Sequence, residues 1–152
     1  MKAHIGVDDE SGLVHNVVGT AANVADVTQV DKLLHGAENV VCADAGYTGV
    51  EKRTEHDGRE VIWQIATRRS TYKKLGKRSA LYKAKRKIEK AKAQVRAKVE
   101  HPFRVLKRQF GFVKTRFRGL AKNTAQLVAL FALSNLWMAR RHLLTSTGEV
   151  RL

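Results

Sequence analysis

The stretch "NVVCADAGYTG" (residues 39–49) joins a short apolar run to a carboxylate and a sharp turn. The run 38–45 is typical of a strand that is covered on both faces. Asp44 stands at the carboxyl end of that strand, the edge of an α/β sheet where ligands bind. A half-desolvated carboxylate there is costly unless a cation or N–H donors satisfy it. Asp44 is therefore either a ligand-binding residue or an acceptor for N–H groups of the turn.

The segments around this stretch predict an α/β order with mixed strand directions. "KAHIGVD" (2–8) and "LVHNVVGTA" (13–21) are rich in β-formers, and the turn "DESG" between them predicts an antiparallel hairpin. The next predicted element is a helix over 24–34 with Asn23 as its cap, and Asp26 is interpreted as a surface or capping acid of that helix. Strands are predicted over 38–45 and 60–68, followed by a long helix from about Ser79. A last helix is predicted over 123–143, with a capping box at Asn123 and Gln126.

The charge is strongly positive and unevenly distributed. The chain has 152 residues, enough for one domain, with a formal net charge of +15. Residues 1–60 hold eleven acids against five Lys and Arg, a net of −6, whereas residues 61–152 hold three acids against twenty-four, a net of +21. We interpret these as two faces of one domain. The balance indicates a polyanionic partner, most often nucleic acid.

Several features indicate an intracellular location without a membrane partner. Cys42 is the only cysteine, so no internal disulfide forms, which suits a reducing cytosol. No apolar signal segment follows Met1. The longest apolar-rich run (125–139) is too short to span a bilayer. We expect a soluble, cytoplasmic protein.

Glu100 is an isolated acid in the basic part of the chain. One interpretation is an ion pair with Arg96, four residues earlier on a helix. Pro102 favours a second one, because a proline removes a helical hydrogen bond and predicts a kink or restart that aims Glu100 inward. On a continuous helix, Arg96, Glu100 and Lys107 share one face.

These motifs resemble the DDE transposases of bacterial insertion sequences, in the IS-five group. The resemblance is carried by "ADAGYTG", by the spacing Arg-x₃-Glu-x₆-Lys, and by "MKAHIGVD", "VGTAANVADVTQVDKLL" and "HPFRVLKRQFGFVKTRFRGLAKNTAQ". It covers nearly the whole chain apart from about the last ten residues. The motifs "HIGVD", "DAGY" and Arg96/Glu100/Lys107, found in this order, are specific to the family, whereas "DAGY" alone is a weak signal.

The resemblance implies an RNase H-like fold, a mixed sheet flanked by helices, and metal-dependent cleavage and strand transfer of DNA. Three acids of the family hold two Mg²⁺ ions, for which Mn²⁺ substitutes. Asp44 matches the second acid and Glu100 the third. Lys107 matches a lysine that helps to place the DNA end, and Arg96 the arginine before the glutamate. Ala93 stands where the family often has a tyrosine.

The first strand and first acid of the family have no match. That acid lies on a strand upstream of the one that matches "KAHIGVD", and neither Asp8 nor Asp9 matches a catalytic position. We therefore expect a C-terminal piece of a transposase, inactive alone. Its RNase H-like sheet lacks the first strand, a partial catalytic domain covers 1–145, and a tail covers 146–152.

The basic half predicts contacts with DNA, both insertion-sequence ends and target. A solvated helix face is the alternative for the run 68–98, and a non-catalytic DNA- or RNA-binding module is the alternative for the whole chain. A second copy of the chain is a further candidate partner. The candidate DNA-binding cations are Arg96, Arg104, Lys107, Arg108, Lys114 and Arg116. Aromatic residues that either stack on bases or pack in the core are Tyr72, Tyr82, Phe110, Phe112 and Phe117.

Overall fold

The computed structural model describes residues 1–68, 70–71 and 74–146, and only the backbone of Ser146. It confirms a mixed α/β chain with small sheets and helices. The strands are β1 (Lys2–Val7), β2 (Val14–Thr20), β3 (Val40–Ala43) and β4 (Ile62–Ile65). The α-helices are α1 (Val30–Leu33), α2 (Ala80–Arg108) and α3 (Leu120–Ser146). Short 3₁₀ turns cover Asp26–Gln29, Ala45–Tyr47, Val50–Lys52 and Thr54–His56.

The strands form two separate two-stranded sheets. β1 and β2 pair antiparallel from Lys2↔Thr20 onward, which confirms the predicted hairpin. Its turn is held by Asp8, whose carboxylate accepts hydrogen bonds from the Ser11 N–H (2.7 Å) and hydroxyl (2.5 Å). β3 and β4 pair in parallel, Val40 opposite Ile62. Within the described residues, no ladder joins the two sheets.

The predicted helix over 24–34 is largely wrong. The chain there makes the 3₁₀ turn Asp26–Gln29 and then only one α-helical turn, α1. The residue before the 3₁₀ turn is Ala25, and no side chain caps it, so Asn23 is not the cap. The segment is rich in β-branched residues, which have lower helix propensity, and this accounts for the short helix.

Helix α2 runs through Pro102 without the predicted restart. It begins after Ser79, whose hydroxyl accepts a hydrogen bond from the Tyr82 N–H (3.1 Å), and continues to Arg108. An interior proline costs a helix about 3 kcal/mol. Here the proline ring is fully buried, as are Val105 and Leu106 on the same side of α2, so tertiary packing holds the helix together across it.

Helix α3 begins at Leu120, three residues before the predicted cap. Asn123 lies in the first turn of α3 and holds the connection from α2 through hydrogen bonds. The Asn123 side-chain amide donates to the carbonyls of Phe117 (2.6 Å) and Gly119 (2.7 Å), and its oxygen accepts from the Phe117 N–H (3.2 Å). No helix among the described residues is long and apolar enough to cross a membrane.

The core lies between the hairpin, α2 and α3. Val14, Leu106, Leu127 and Phe131 form its buried cluster. Asn135 anchors α3 to β2, since its side chain accepts a hydrogen bond from the Val14 N–H (2.9 Å) and donates one to the Val14 carbonyl (2.7 Å). One core therefore joins the first residues of the chain to its last helix.

Candidate functional site

Asp44 lies at the carboxyl end of β3, as predicted, and caps the turn that follows. Its carboxylate accepts a hydrogen bond from the Gly46 N–H (2.8 Å) at the start of the 3₁₀ turn Ala45–Tyr47. The turn-acceptor interpretation is thus what the structure shows. The side chain is exposed, so the carboxylate also remains accessible to a ligand from solvent.

A second carboxylate, that of Asp26, lies beside the same turn. A Cβ atom built on Gly46 would be 2.9 Å from Asp44 Oδ1 and 4.0 Å from Asp26 Oδ2. The two acids therefore flank one glycine. Asp26 also pairs with Lys2 of β1 (2.9 Å), and this contact joins β1 to the 3₁₀ turn Asp26–Gln29. The sequence interpretation missed this neighbour because the contact joins segments that no local periodicity relates.

The pKa of Tyr47 reflects the negative charge near the end of β3. Burial, followed by the Asp26 and then the Asp44 carboxylate, raises the pKa of its phenol to about 12. A phenolate next to two carboxylates is unfavourable, which accounts for the direction of the shift. The same electrostatic field favours a cation at the end of β3.

Glu100 is exposed on α2, so the predicted inward orientation is wrong. Because the helix is continuous, Arg96, Glu100 and Lys107 lie along one face, and all three are exposed. The buried residues of this part of α2 lie on the opposite side. In the described part of the chain, Glu100 makes no ion pair with Arg96, so the ion-pair interpretation is wrong as well.

The described residues do not assemble a complete metal site. They contain no group of three or more His, Cys, Asp or Glu side chains placed to hold a metal ion. A two-ion Mg²⁺ site of the kind that the resemblance implies needs three acids with hard oxygen ligands. The two neighbouring acids Asp26 and Asp44 do not meet that requirement, and Asp26 is already in an ion pair with Lys2.

The candidate DNA-binding cations are exposed and available. All six expected residues are exposed, and none is in an ion pair with an acid of the described ranges: Arg96, Arg104, Lys107, Arg108, Lys114 and Arg116. By contrast, Lys98 is held by Asp9 (2.8 Å). Unpaired guanidinium and ammonium groups are free to contact phosphates without first breaking a contact within the protein.

The aromatic residues divide between core and surface. Phe112 packs against the core cluster, which confirms the core interpretation for that residue. Phe117 is 51% exposed beside Arg116, so it remains accessible for stacking on a base. Phe110 and Tyr82 are half-buried. Tyr72 lies outside the described residues, as does most of the predicted tail, 147–152.

Comparison with known families identifies the class of protein. Residues 1–136 match the family described as transposase DDE domain. The match covers most of the chain, so the chain belongs to the transposase DDE domain family. This confirms the predicted transposase class, whereas the IS-five group and the C-terminal position stay predictions. No solved structure matches the chain.

Proposed function

We propose that this chain acts in DNA transposition by binding DNA along the exposed face of α2 and the connection to α3. The observation that carries the proposal is the family match over residues 1–136, combined with a set of six exposed, unpaired cations in that region. The family implies a DNA substrate, and we assign insertion-sequence ends and target DNA to it. A DNA partner also favours a cytoplasmic location.

The cations have distinct proposed roles. Arg96 and Lys107 flank Glu100 on one face of α2, where Lys107 would place the DNA end. Arg104 and Arg108 continue the positive surface of α2, while Lys114 and Arg116 extend it into the connection before α3. Contacts of this kind depend on phosphate charge, so the affinity should fall steeply as salt rises and vary little with DNA sequence.

We further propose that Asp44 and Glu100 belong to the family's metal-binding acids, for Mg²⁺ or Mn²⁺, but that this chain does not complete the site alone. Asp8 and Asp9 are poor substitutes for a third acid. Asp8 holds the hairpin turn through Ser11, and Asp9 is paired with Lys98. The missing acid would come from a strand upstream of β1 in an RNase H-like sheet, as in the family that the sequence resembles.

A non-catalytic DNA- or RNA-binding module is the second candidate. Its support is the capping contact of Asp44 with Gly46, together with the absence of a group of three metal ligands from the described ranges. The two candidates share the positive surface and differ only in whether Asp44 and Glu100 act on phosphodiesters. Binding alone therefore does not distinguish them.

A nicking assay on supercoiled plasmid with Mg²⁺ or Mn²⁺ tests the proposal. We expect the chain to bind the plasmid and to nick it slowly or not at all. A missing ligand costs several kcal/mol of barrier, on the order of a thousandfold in rate. Asp44→Ala and Glu100→Ala are run beside it, with Asp31→Ala as an exposed-acid control. Robust nicking that both variants abolish would show that the chain is complete in itself.

Reading the DNA upstream of the Met1 codon tests the incompleteness directly. An in-frame strand that carries an aspartate would supply the third acid and would mean that the start at Met1 is misplaced. A chain extended by that strand should nick plasmid in a manner that depends on Asp44 and Glu100. An extended chain that binds DNA but still fails to cleave would instead favour the non-catalytic module.

A further inference from the structure

The connection between α2 and α3 carries an exposed aromatic ring among cations. Phe117 is 51% exposed, and it lies between Arg116 and Arg118, which are exposed as well. Neither arginine makes an ion pair with an acid of the described ranges. Guanidinium groups without such pairs are suited to binding phosphates. The ring of Phe117 is therefore open to solvent between two groups that can hold a nucleic-acid backbone.

Hydrogen bonds hold the backbone of this connection at both ends. The Phe112 N–H donates to the Leu106 carbonyl (3.1 Å), and Phe112 packs against the core cluster. At the other end, the Asn123 side chain accepts from the Phe117 N–H (3.2 Å) and donates to the Phe117 carbonyl (2.6 Å). Asn123 is itself buried. A buried amide thus fixes the backbone of an exposed residue, so part of the ordering that binding requires is already present.

Other exposed apolar residues lack this setting. Leu136 of α3 is 59% exposed, but the stretch 123–139 around it contains no charged residue. Val113 is exposed in the same connection as Phe117, but no side chain in the described part of the chain hydrogen-bonds to its backbone. Of these three residues, Phe117 alone combines an aromatic ring, cations on both sides and an anchored backbone.

We propose that Phe117 is a wedge that inserts between base pairs of duplex DNA at a step whose stacking is weak. The inference rests on the proposed DNA binding and adds a preference that phosphate contacts do not supply. An apolar side chain inserted at a base step partly unstacks the step and kinks the duplex. Arg116 and Arg118 contact the phosphates next to the inserted ring. Because unstacking costs least where pairing is already disturbed, a mismatched duplex is the favoured substrate.

Fluorescence anisotropy with two duplexes tests the wedge. One duplex is fully paired, and the other differs from it by a central T·T mismatch, so both offer the same number of phosphates. We expect the chain to bind the mismatched duplex about tenfold more tightly than the paired one. The single strand is measured beside them. In a second measurement, 2-aminopurine placed next to the mismatch should become more fluorescent when the chain is added, because unstacking relieves the quenching of this base.

Substitutions separate the ring from the charges. Phe117→Ala should reduce the preference to about twofold or less and abolish the change in 2-aminopurine fluorescence, whereas Phe117→Leu keeps an apolar wedge and should retain part of both. Leu136→Ala removes a similarly exposed apolar side chain and should leave both unchanged. Arg116→Ala should weaken binding to the two duplexes by the same factor. The preference is also measured on the unmodified chain, so the test does not depend on the folding of any variant.

Each outcome supports or overturns the proposal. A preference for the mismatched duplex that is lost in Phe117→Ala supports it, and a preference that this variant retains overturns it. Equal, salt-dependent binding to both duplexes overturns the wedge and leaves the DNA-binding proposal standing. Tighter binding to the single strand than to the mismatched duplex would assign the ring to unpaired bases, which also overturns the wedge. Binding to none of the three DNAs would overturn both proposals.

Discussion

Residues 1–60 and residues 61–152 differ in what their charged groups contact. In the first region, three of the five Lys and Arg residues pair with acids of the same region. In the second, the six candidate DNA-binding cations make no ion pair within the described ranges, whereas Lys92 and Lys98 of α2 pair with Glu89 and Asp9. The internal pairs of the first region are Lys2–Asp26, Arg53–Glu55 and Arg59–Asp31. Most of the positive charge of the first region is thus paired within the protein, whereas the six candidate cations of the second remain available for a partner. Net charge indicates a nucleic-acid partner, and the exposed cations without ion pairs support the surface that we propose for it.

The largest expected effect concerns the contact that joins the two regions. Asn135→Ala should lower the free energy of unfolding by about 2–5 kcal/mol, because it leaves the buried N–H and C=O of Val14 without partners. Urea unfolding measures the change, and Asn23→Ala, at an exposed amide, is the control. A loss no larger than that of the control would mean that the two regions do not depend on this anchor.

The contrast between paired and unpaired cations predicts DNA affinity. The double variant Arg104→Ala, Arg108→Ala should weaken binding to a random duplex about 10- to 100-fold and reduce the slope of log K against log salt by about 2. The matched double variant Arg53→Ala, Arg59→Ala removes the same charge from paired residues and should change affinity little. Fluorescence anisotropy over a salt series measures both. Equal losses in the two variants would remove the distinction between the regions.

The elements that sequence reasoning predicted are those whose pattern is local. The hairpin could be predicted from two β-rich runs and a turn, and β3 could be predicted from an apolar run that ends at Asp44. The prediction of a helix over 24–34 was wrong because the helical spacing of its apolar residues was opposed by the low helix propensity of its β-branched residues. The predicted restart at Pro102 was wrong, because the packing that buries Pro102 and keeps α2 continuous is tertiary and leaves no local signal. The Asp26–Asp44 neighbourhood had no local signal, because the two acids lie in different segments that are near each other beside Gly46.

The acidic edge of the first region predicts a measurable titration. Asp44→Asn and Asp26→Asn should each lower the pKa of Tyr47 from about 12 toward its ordinary value near 10, since each removes a negative charge beside the phenol. Asp31→Asn, at an acid that does not influence Tyr47, should leave it unchanged. Absorbance near 295 nm measures the phenolate, and circular dichroism confirms that each variant stays folded. An unchanged titration in both variants would show that these carboxylates do not act on this tyrosine.

The smallest expected effect is a pH dependence of stability that comes from buried histidines of the first region. Burial lowers the pKa of His4, which is hydrogen-bonded to Thr20 (2.8 Å), and of His56, which packs against Trp63. When the pKa of a histidine is lower in the folded chain than its value near 6.5 in the unfolded chain, the unfolded chain binds more protons than the folded chain as the pH falls. The stabilisation is therefore fully present above about pH 6.5 and is lost as pH falls toward the lowered folded values. Urea unfolding between pH 7.5 and 5.0 should show this decline, in a window above the range where most carboxylates titrate.

Two substitutions separate the histidines from other sources of this decline. His4→Gln keeps a group that can hydrogen-bond to Thr20, and His56→Phe keeps a ring against Trp63, so each removes a titrating imidazole with limited loss of packing. The double variant should show a flatter dependence between pH 7.5 and 5.0, while His142→Gln, at an exposed histidine of α3, should not. If the double variant declines as steeply as the unmodified chain, the pH sensitivity arises from groups other than these two histidines, and the two regions do not differ in this respect.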